Sequence, residues 1–381
     1  MNVPKLRFKE FNDGWKKIQL DSFVDINPKN DSLPEQFIYI DLESVNNGIL
    51  TTRKIINKSE APSRAQRTIK ENDILYQTVR PYQMNNLFVK NFDSDYPYIA
   101  STGYALLRTK ENPYFVYSIL YQKSFVNKVL DMCTGTSYPA ISANDLGTIT
   151  VGLPSLKEQE KISKTLELLD KKIELQSKKI EALKLFKKGL HDKLFNEVTG
   201  NDYLLSDIAV FENGKGHENI VDENGKYILI NSKFISTEGN VTKKCSEQLT
   251  PLFKNDITMV MSDLPNGKAL AKCYYIDENN KYSLNQRICK IKVKDDSIIN
   301  SKYLFYLLNR NSYYLRFDDG VNQTNLKKDD ILSLNLVLPS IKEQERDSKT
   351  LTIIDNFIEK ENNKLSKLFL LKKGLMQSMF V

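Results

Sequence analysis

The chain has 381 residues, 40% of them hydrophobic and 27% charged, with a formal net charge of +7. That length is a prior for two domains with ordinary packed cores. No apolar run approaches a membrane span and the start MNVPKLRFKEF has no apolar signal core, so a cytoplasmic protein with no membrane role is expected.

Residues 1–14 form a polar lead-in. From Trp15 the pattern is strand-like and short-ranged. Residues 37–40 are β-prone, Asn46, Asn47 and Gly48 form a turn, and residues 49–56 are placed to pair back after it. Further strands are expected at 74–76 and 98–107. Asn112 and Pro113 open a helix whose apolar spacing runs through 114–130. A loop at 135–139 and a last strand within 145–153 close the first globule. The second half retells this with little identity: Tyr227–Ile230 matches the first β-prone run, residues 255–257 echo 72–74, and Ser301–Leu308 echoes the helix after Pro113.

One stretch occurs twice without a gap. Residues 153–195 and 338–380 both carry Leu-Pro-Ser, then Lys-Glu-Gln-Glu, then Lys-Lys-Gly-Leu, and end on Phe195 or Phe380; the offset is 185 residues throughout. This is a tandem duplication. Most of the positive surplus sits on the repeat, so charge alone is a weak argument for nucleic acid. Ser155 or Ser340, with Glu158 or Glu343 three residues on, reads as a capping box that starts a long helix. A seven-residue seam follows. In the first copy it comprises Ile162, Leu166, Leu169, Ile173, Gln176, Ile180, Leu183, Lys187, Leu190 and Leu194. In the second it comprises Asp347, Leu351, Ile354, Ile358, Glu361, Leu365, Leu368, Lys372, Leu375 and Met379. Each helix would be roughly 58 Å long at 1.5 Å per residue. The polar breaks recur at matched places, Gln176 with Glu361 and Lys187 with Lys372, as register-setting groups do. The reading is an antiparallel coiled coil holding a globule at either end. Leu168, Leu175, Leu185, Phe186, Ile353, Phe357, Phe369 and Leu371 lie off the seam and call for a second partner. The expected fold class is α+β: two mostly β globules, each followed by a long α-helix. The boundaries are 1–152, 153–196, 197–337 and 338–381.

Two copies of LPSxKEQE, each opening a long helix that ends KKGLxxxxF and following a divergent globule, make the whole chain resemble the specificity subunit of type I restriction–modification systems. The resemblance implies that each globule is a target-recognition domain reading one half of a split, asymmetric site in double-stranded DNA. It implies that the helices space the halves, and that the repeated regions dock two DNA-adenine methyltransferase subunits, joined by restriction subunits. S-adenosylmethionine, and ATP with magnesium, belong to those partners, and no cofactor is expected in this chain. No Asn-Pro-Pro-Phe, Asp-Pro-Pro-Tyr or Walker A motif is present, so a non-catalytic subunit is expected. The acidic and basic residues at 158–161 and 170–172 read as solvated helix charge, not a nuclease site. Four cysteines (Cys133, Cys245, Cys273, Cys289) without CxxC spacing and two histidines (His191, His217) give no metal-ligand cluster. The alternative function is a coiled-coil scaffold or other multi-subunit DNA-binding adaptor without a restriction role.

Base edges are read by amide, hydroxyl and basic side chains on loops, supported by phosphate contacts. The densest such stretch contains Gln77, Thr78, Arg80, Tyr82, Gln83 and Asn85; Thr136, Ser137 and Tyr138 come next. Their counterparts are Asn322, Gln323, Thr324 and Asn325. Lys215, His217, Ser262, Asn266 and Lys268 also qualify in the second globule. Arg53, Arg64, Arg67, Lys243 and Lys244 are phosphate candidates. For any single residue, an ordinary polar loop is the competing reading.

Overall fold

The repeated segment folds as two continuous helices in the computed structural model, Leu156–Asn196 and Ile341–Ser378, which describes residues 3–29, 32–92, 94–265 and 267–381. Contacts divide the chain into two units, Met1–Lys179 with Asn362–Val381, and Ile180–Glu361. The sequence boundaries follow the repeat; the packing boundary instead cuts both long helices. Each unit therefore holds one globule, the start of the helix that follows it and the end of the other helix.

Within the first unit, Ile162 and Leu166 share a core with Leu375, Met376, Met379 and Phe380, while Lys372 pairs with Asp170 at 2.5 Å. Positions rise along one helix as they fall along the other, so the segments run antiparallel. In the second unit Lys187 pairs with Asp355 at 2.5 Å, the Phe195 ring lies tilted against Tyr303 with centroids 4.9 Å apart, and Gln344 and Ser348 lie beside Asn300. This is the same antiparallel arrangement. The seam lysines are thus not frayed: each neutralises the aspartate of the opposing helix, at positions related by the repeat offset. Every seam residue is buried or half-buried, including Gln176 and Glu361.

The globules share a topology that their sequences conceal. A ribbon of Lys16–Gln19 against Thr150–Leu153 closes the first, and Asn201–Leu204 against Asn335–Leu338 closes the second, in the same register. In the first unit one sheet orders Val24–Ile26, Tyr104–Thr109, Ile74–Gln77 and Leu87–Phe88. The second unit orders Ala209–Asn213, Ile288–Val293, Ile257–Val260 and Cys273–Tyr275 alike. The other sheet of each unit contains a parallel pair, Gln36–Ile40 with Tyr98–Ser101 and Tyr227–Ile230 with Tyr282–Leu284. Parallel neighbours need a crossover, and the intervening chain supplies it in both units.

Four local expectations need correction. Residues 98–107 hold two strands in different sheets, Tyr98–Ser101 and Tyr104–Thr109. The helix through 114–130 is two helices, Pro113–Ile119 and Lys123–Met132. Both pieces bury apolar residues in one core, Phe115, Val116 and Ile119 from the first and Phe125 and Val129 from the second, so the periodicity runs over the break. The last strand is Thr150–Leu153 alone, because Ser142 caps a short helix, Ala143–Thr148, by accepting from the Asp145 N–H at 3.0 Å. Residues 49–56 split between two partners: Ile49–Leu50 pairs across the Asn47–Gly48 turn, where both φ values are positive, and Lys54–Asn57 joins Gln36–Ile40.

The repeated Lys-Glu-Gln-Glu is explained by its glutamine. Gln159 is fully buried, donates to the Pro154 carbonyl at 3.0 Å and to Glu111 at 2.8 Å, and accepts from the Asn112 N–H at 3.2 Å. Gln344 is equally buried, donates to Pro339 and Ile298 carbonyls at 2.9 and 3.0 Å, and accepts from the Asn300 N–H at 2.9 Å. Asn112 and Asn300 are themselves the N-caps of the globule helices Pro113–Ile119 and Ser301–Leu308. One amide thus latches the start of a long helix to the start of a globule helix. The flanking glutamates differ. Glu343 makes one half of the expected capping box, accepting from the Ser340 N–H at 3.1 Å and from its hydroxyl at 2.7 Å, whereas Glu158 is buried under Arg7 (two bonds of 2.8 Å) and Trp15. The lead-in supplies Arg7, and Trp15 follows it; at the repeat offset the second copy has Asp192 and Gly200, so Glu343 stays at its cap. Nor is Asp170 solvated charge, since it also accepts from the Tyr114 hydroxyl. Asp355 accepts from Tyr306 at 2.8 Å.

Replacing a buried, three-bonded amide leaves its partners unsatisfied at about 1–3 kcal/mol each, partly relieved by water. Gln344→Ala is therefore expected to cost about 2–4 kcal/mol of unfolding free energy in a urea titration. A loss below about 0.5 kcal/mol would show the latch to be idle.

Candidate nucleic-acid interface

In each unit the fold brings together two loops that are far apart in sequence. Val79 bridges Ala140, the Arg80 N–H donates to Pro139 O at 2.7 Å, and Ile141 N–H donates to Thr78 O at 3.1 Å. In the second unit Ser262–Asp263 pairs with Thr324–Asn325, and Leu326 N–H donates to Met261 O at 2.8 Å. Ala140 and Asn325 are related by the repeat offset, so the two loop pairs are structural equivalents. The first joins residues 77–86 to 134–140; the second joins 262–268 to 320–325.

Residues within the first pair divide into supports and exposed groups. Gln77 is buried; its amide donates to Val79 O and Gln83 Oε1, both at 2.8 Å, and accepts from Asn85 N–H at 3.0 Å. Thr78 donates to Gly103 O at 2.9 Å, and Asn85 accepts from Asn47 N–H at 3.2 Å. Tyr82, Gln83, Thr136, Ser137 and Tyr138 are exposed, and Arg80 lies over the Tyr138 ring at 4.3 Å from its centroid. Gly135, at φ +92°, turns the chain so that these side chains lie at the tip.

The second pair is built differently. Asp263 accepts from the N–H groups of Leu264, Ala269 and Leu270 at 2.9, 2.7 and 3.1 Å and so folds the loop on itself. Ser262 and Thr324 are buried, and the Ser262 hydroxyl accepts from Gln323 Nε2 at 2.7 Å. Asp319 holds the opposite loop: N–H groups of Asn322 and Val321 and the Asn322 amide all donate to it, which pulls its carboxyl down to about 2. Asn322, Gln323, Asn325 and Lys268 are exposed, while Asn266 lies outside the described residues.

Other candidates stand elsewhere. His217 is 1% exposed; its Nδ1 donates to Lys215 O and its Nε2 is 2.7 Å from Ser283 Oγ, so the ring is a core support. Lys215 itself is exposed, on the loop that bridges Asn285. Lys243 and Lys244 are exposed on another edge, by the Lys244–Cys245 strand. Arg53 lines a shallow cavity with Leu50, Val89 and Lys90. Arg64 is exposed, and Arg67 is half-buried on Ala65–Thr68, where burial lowers its guanidinium below the ordinary value. Sequence reasoning missed Asp263 and Asp319 as loop organisers; an acidic residue among amides gives no signal until its backbone donors are known. Among the described residues no group of His, Cys, Asp and Glu is arranged to hold a metal ion, and no helix is long and apolar enough to cross a membrane.

The family model described as "Type I restriction modification DNA specificity domain" matches residues 12–185 and again 200–369. Two such domains in tandem account for nearly the whole chain, which belongs to this family. The chain is similar to the type I restriction enzyme HindI specificity subunit of Haemophilus influenzae, with 29% identity over 181 residues that make up 45% of this chain and 38% of that protein. Its fold is similar to the type-I restriction-modification S subunit from M. genitalium, at a TM-score of 0.63 and 18% identity over 100% of this chain and 99% of that one. A chain from work on complex assembly and conformational transition of the type I R-M system gives 0.59 and 19%, over 96% and 97%.

The division into supports and exposed groups has a stability signature. Gln77→Ala is expected to cost about 1–3 kcal/mol of unfolding free energy. Tyr138→Ala, at 65% exposure, should stay within about 0.5 kcal/mol. Equal losses in parallel urea titrations would contradict the division.

Proposed function

We propose that this chain is the DNA sequence-specificity subunit of a type I restriction–modification complex and catalyses nothing itself. Its two loop pairs each read one half of a bipartite, asymmetric site in double-stranded DNA. Two DNA-adenine methyltransferase subunits dock on the long helices, and restriction subunits join them for cleavage. S-adenosylmethionine, and ATP with magnesium, serve those partners, and the complex acts in the cytoplasm. The observation that carries the reading is the contrast between frame and loops: equivalent loop pairs stand on one duplicated topology and present different polar groups. Base readout needs different groups for different sequences, whereas a general scaffold gives no reason for the divergence.

The helices support the docking part. Leu168, Leu175, Phe369, Leu370 and Leu371 in the first unit and Leu185, Phe186, Ile353 and Phe357 in the second are exposed apolar side chains on the helices, the residue type that protein contacts bury. Leu185→Asp with Phe186→Asp, and separately Leu370→Asp with Leu371→Asp, are expected to reduce co-purification of the methyltransferase at least about tenfold without lowering the urea midpoint. Undiminished co-purification by both variants would remove this surface from the interface.

Function as a whole is tested by mapping methylated adenines genome-wide with and without the gene. One split motif, lost on deletion, is the expected result. Absence of any motif dependent on the chain, with the partner complex still assembling, would favour a scaffold.

A further inference from the structure

We infer that Arg80 reads a guanine in the half-site contacted by the first loop pair. The inference rests on the DNA-reading function proposed above and adds the chemistry of one base to it. Arg80 is held before any ligand arrives. Its backbone is left-handed (φ 54°, ψ 54°), a conformation uncommon for a residue with a side chain. Two backbone bonds fix it there: its N–H donates to Pro139 O at 2.7 Å, and its carbonyl accepts from Gln83 N–H at 3.0 Å. The guanidinium lies over the exposed Tyr138 ring at 4.3 Å from the centroid. Stacking of this kind orients the planar fork and lowers the entropy lost when it binds.

The fork is also unspent. Nε is buried without a hydrogen-bond partner, and among the described residues no carboxylate, carbonyl or amide engages the terminal nitrogens. A planar pair of donors seeks a planar pair of acceptors. In duplex DNA the guanine edge in the major groove offers one, O6 with N7; a phosphate offers the other but carries no sequence information. The surroundings favour the base. Arg80 is the sole basic residue in 77–86 and 134–140, set among Gln83, Thr136 and Ser137. A surface that follows the backbone instead gathers several cations.

The second unit supplies the contrast. Asp263 follows Ser262 as Arg80 follows Val79, and its carboxylate is already bound to three backbone N–H groups. That position carries no arginine, the nearby Arg310 already donates to Leu270 O at 3.1 Å, and the exposed polar groups of the pair are the amides of Asn322, Gln323 and Asn325 with the ammonium of Lys268. The two half-sites must therefore differ in what they offer.

The test maps methylated adenines in cells that carry the full chain with its methyltransferase partner and no other adenine methylation. Wild-type, Arg80→Ala and Arg80→Lys chains are compared. The expected result is a split motif in which one guanine of one half becomes degenerate in Arg80→Ala, with discrimination falling about ten- to a hundredfold, and falling less in Arg80→Lys. The other half stays unchanged, which also shows that the variants fold and assemble. A motif unchanged in Arg80→Ala overturns the guanine assignment, as does a wild-type motif with no guanine in either half; Arg80→Lys keeps an ammonium that can donate to O6 or N7 and retains part of the discrimination. Those results leave the DNA-reading function standing, whereas no split motif with the wild-type chain removes the function itself. If neither variant methylates, the wild-type complex decides. 7-Deazaguanine placed at each guanine of the motif in turn should weaken binding about tenfold at one position, and equal binding at all positions overturns the assignment.

Discussion

The structure depends on one buried amide used twice. Gln159 and Gln344 each tie a long helix to the capped start of a globule helix, through Asn112 and Asn300. Neither glutamine can leave without stranding a backbone carbonyl and an N–H. The latch therefore fixes where the globule stands on its own helix, and from there the ion pairs Lys372–Asp170 and Lys187–Asp355 fix where the opposing helix segment lies. A half-exposed ion pair alone contributes little. Here the tyrosine hydroxyls of Tyr114 and Tyr306 join each aspartate, so globule and both helix segments meet at one carboxylate.

Duplication of such a frame has a functional consequence. Because backbone ladders and latches carry the fold, the loop tips are relieved of structural duty and are free to differ. The closing ribbons keep register residue for residue across the two units, while the tips hold an arginine stacked on tyrosine in one and exposed amides in the other. Supports sit just behind the tips in both: Gln77 in the first pair, Asp263 and Asp319 in the second. A reader of specific bases needs both properties, variable groups and rigid supports.

Much of this was legible in the sequence. Heptad spacing and the gapless repeat located both long helices and their seam, because periodicity reports burial directly. The loops proposed for base reading were picked out by composition, and the fold brings them together in pairs. What the sequence concealed depends on distant partners. Nothing local distinguishes Glu158 from Glu343, yet Arg7, 151 residues away, takes the first out of its cap. His217 and Gln77 look like loop residues offered to a ligand, and both are core supports. Periodicity likewise ran over the break between Pro113–Ile119 and Lys123–Met132, since both pieces face one core.

The central claim is that two separate loop pairs on one duplicated frame each contact their own stretch of duplex. A single-nucleotide footprint of the chain assembled with its methyltransferase, on DNA containing the target, tests this most directly. The expected result is two protected base stretches divided by a spacer whose sequence can be changed without loss of protection. A single continuous sequence-dependent stretch, or protection that survives replacement of either half, would contradict it.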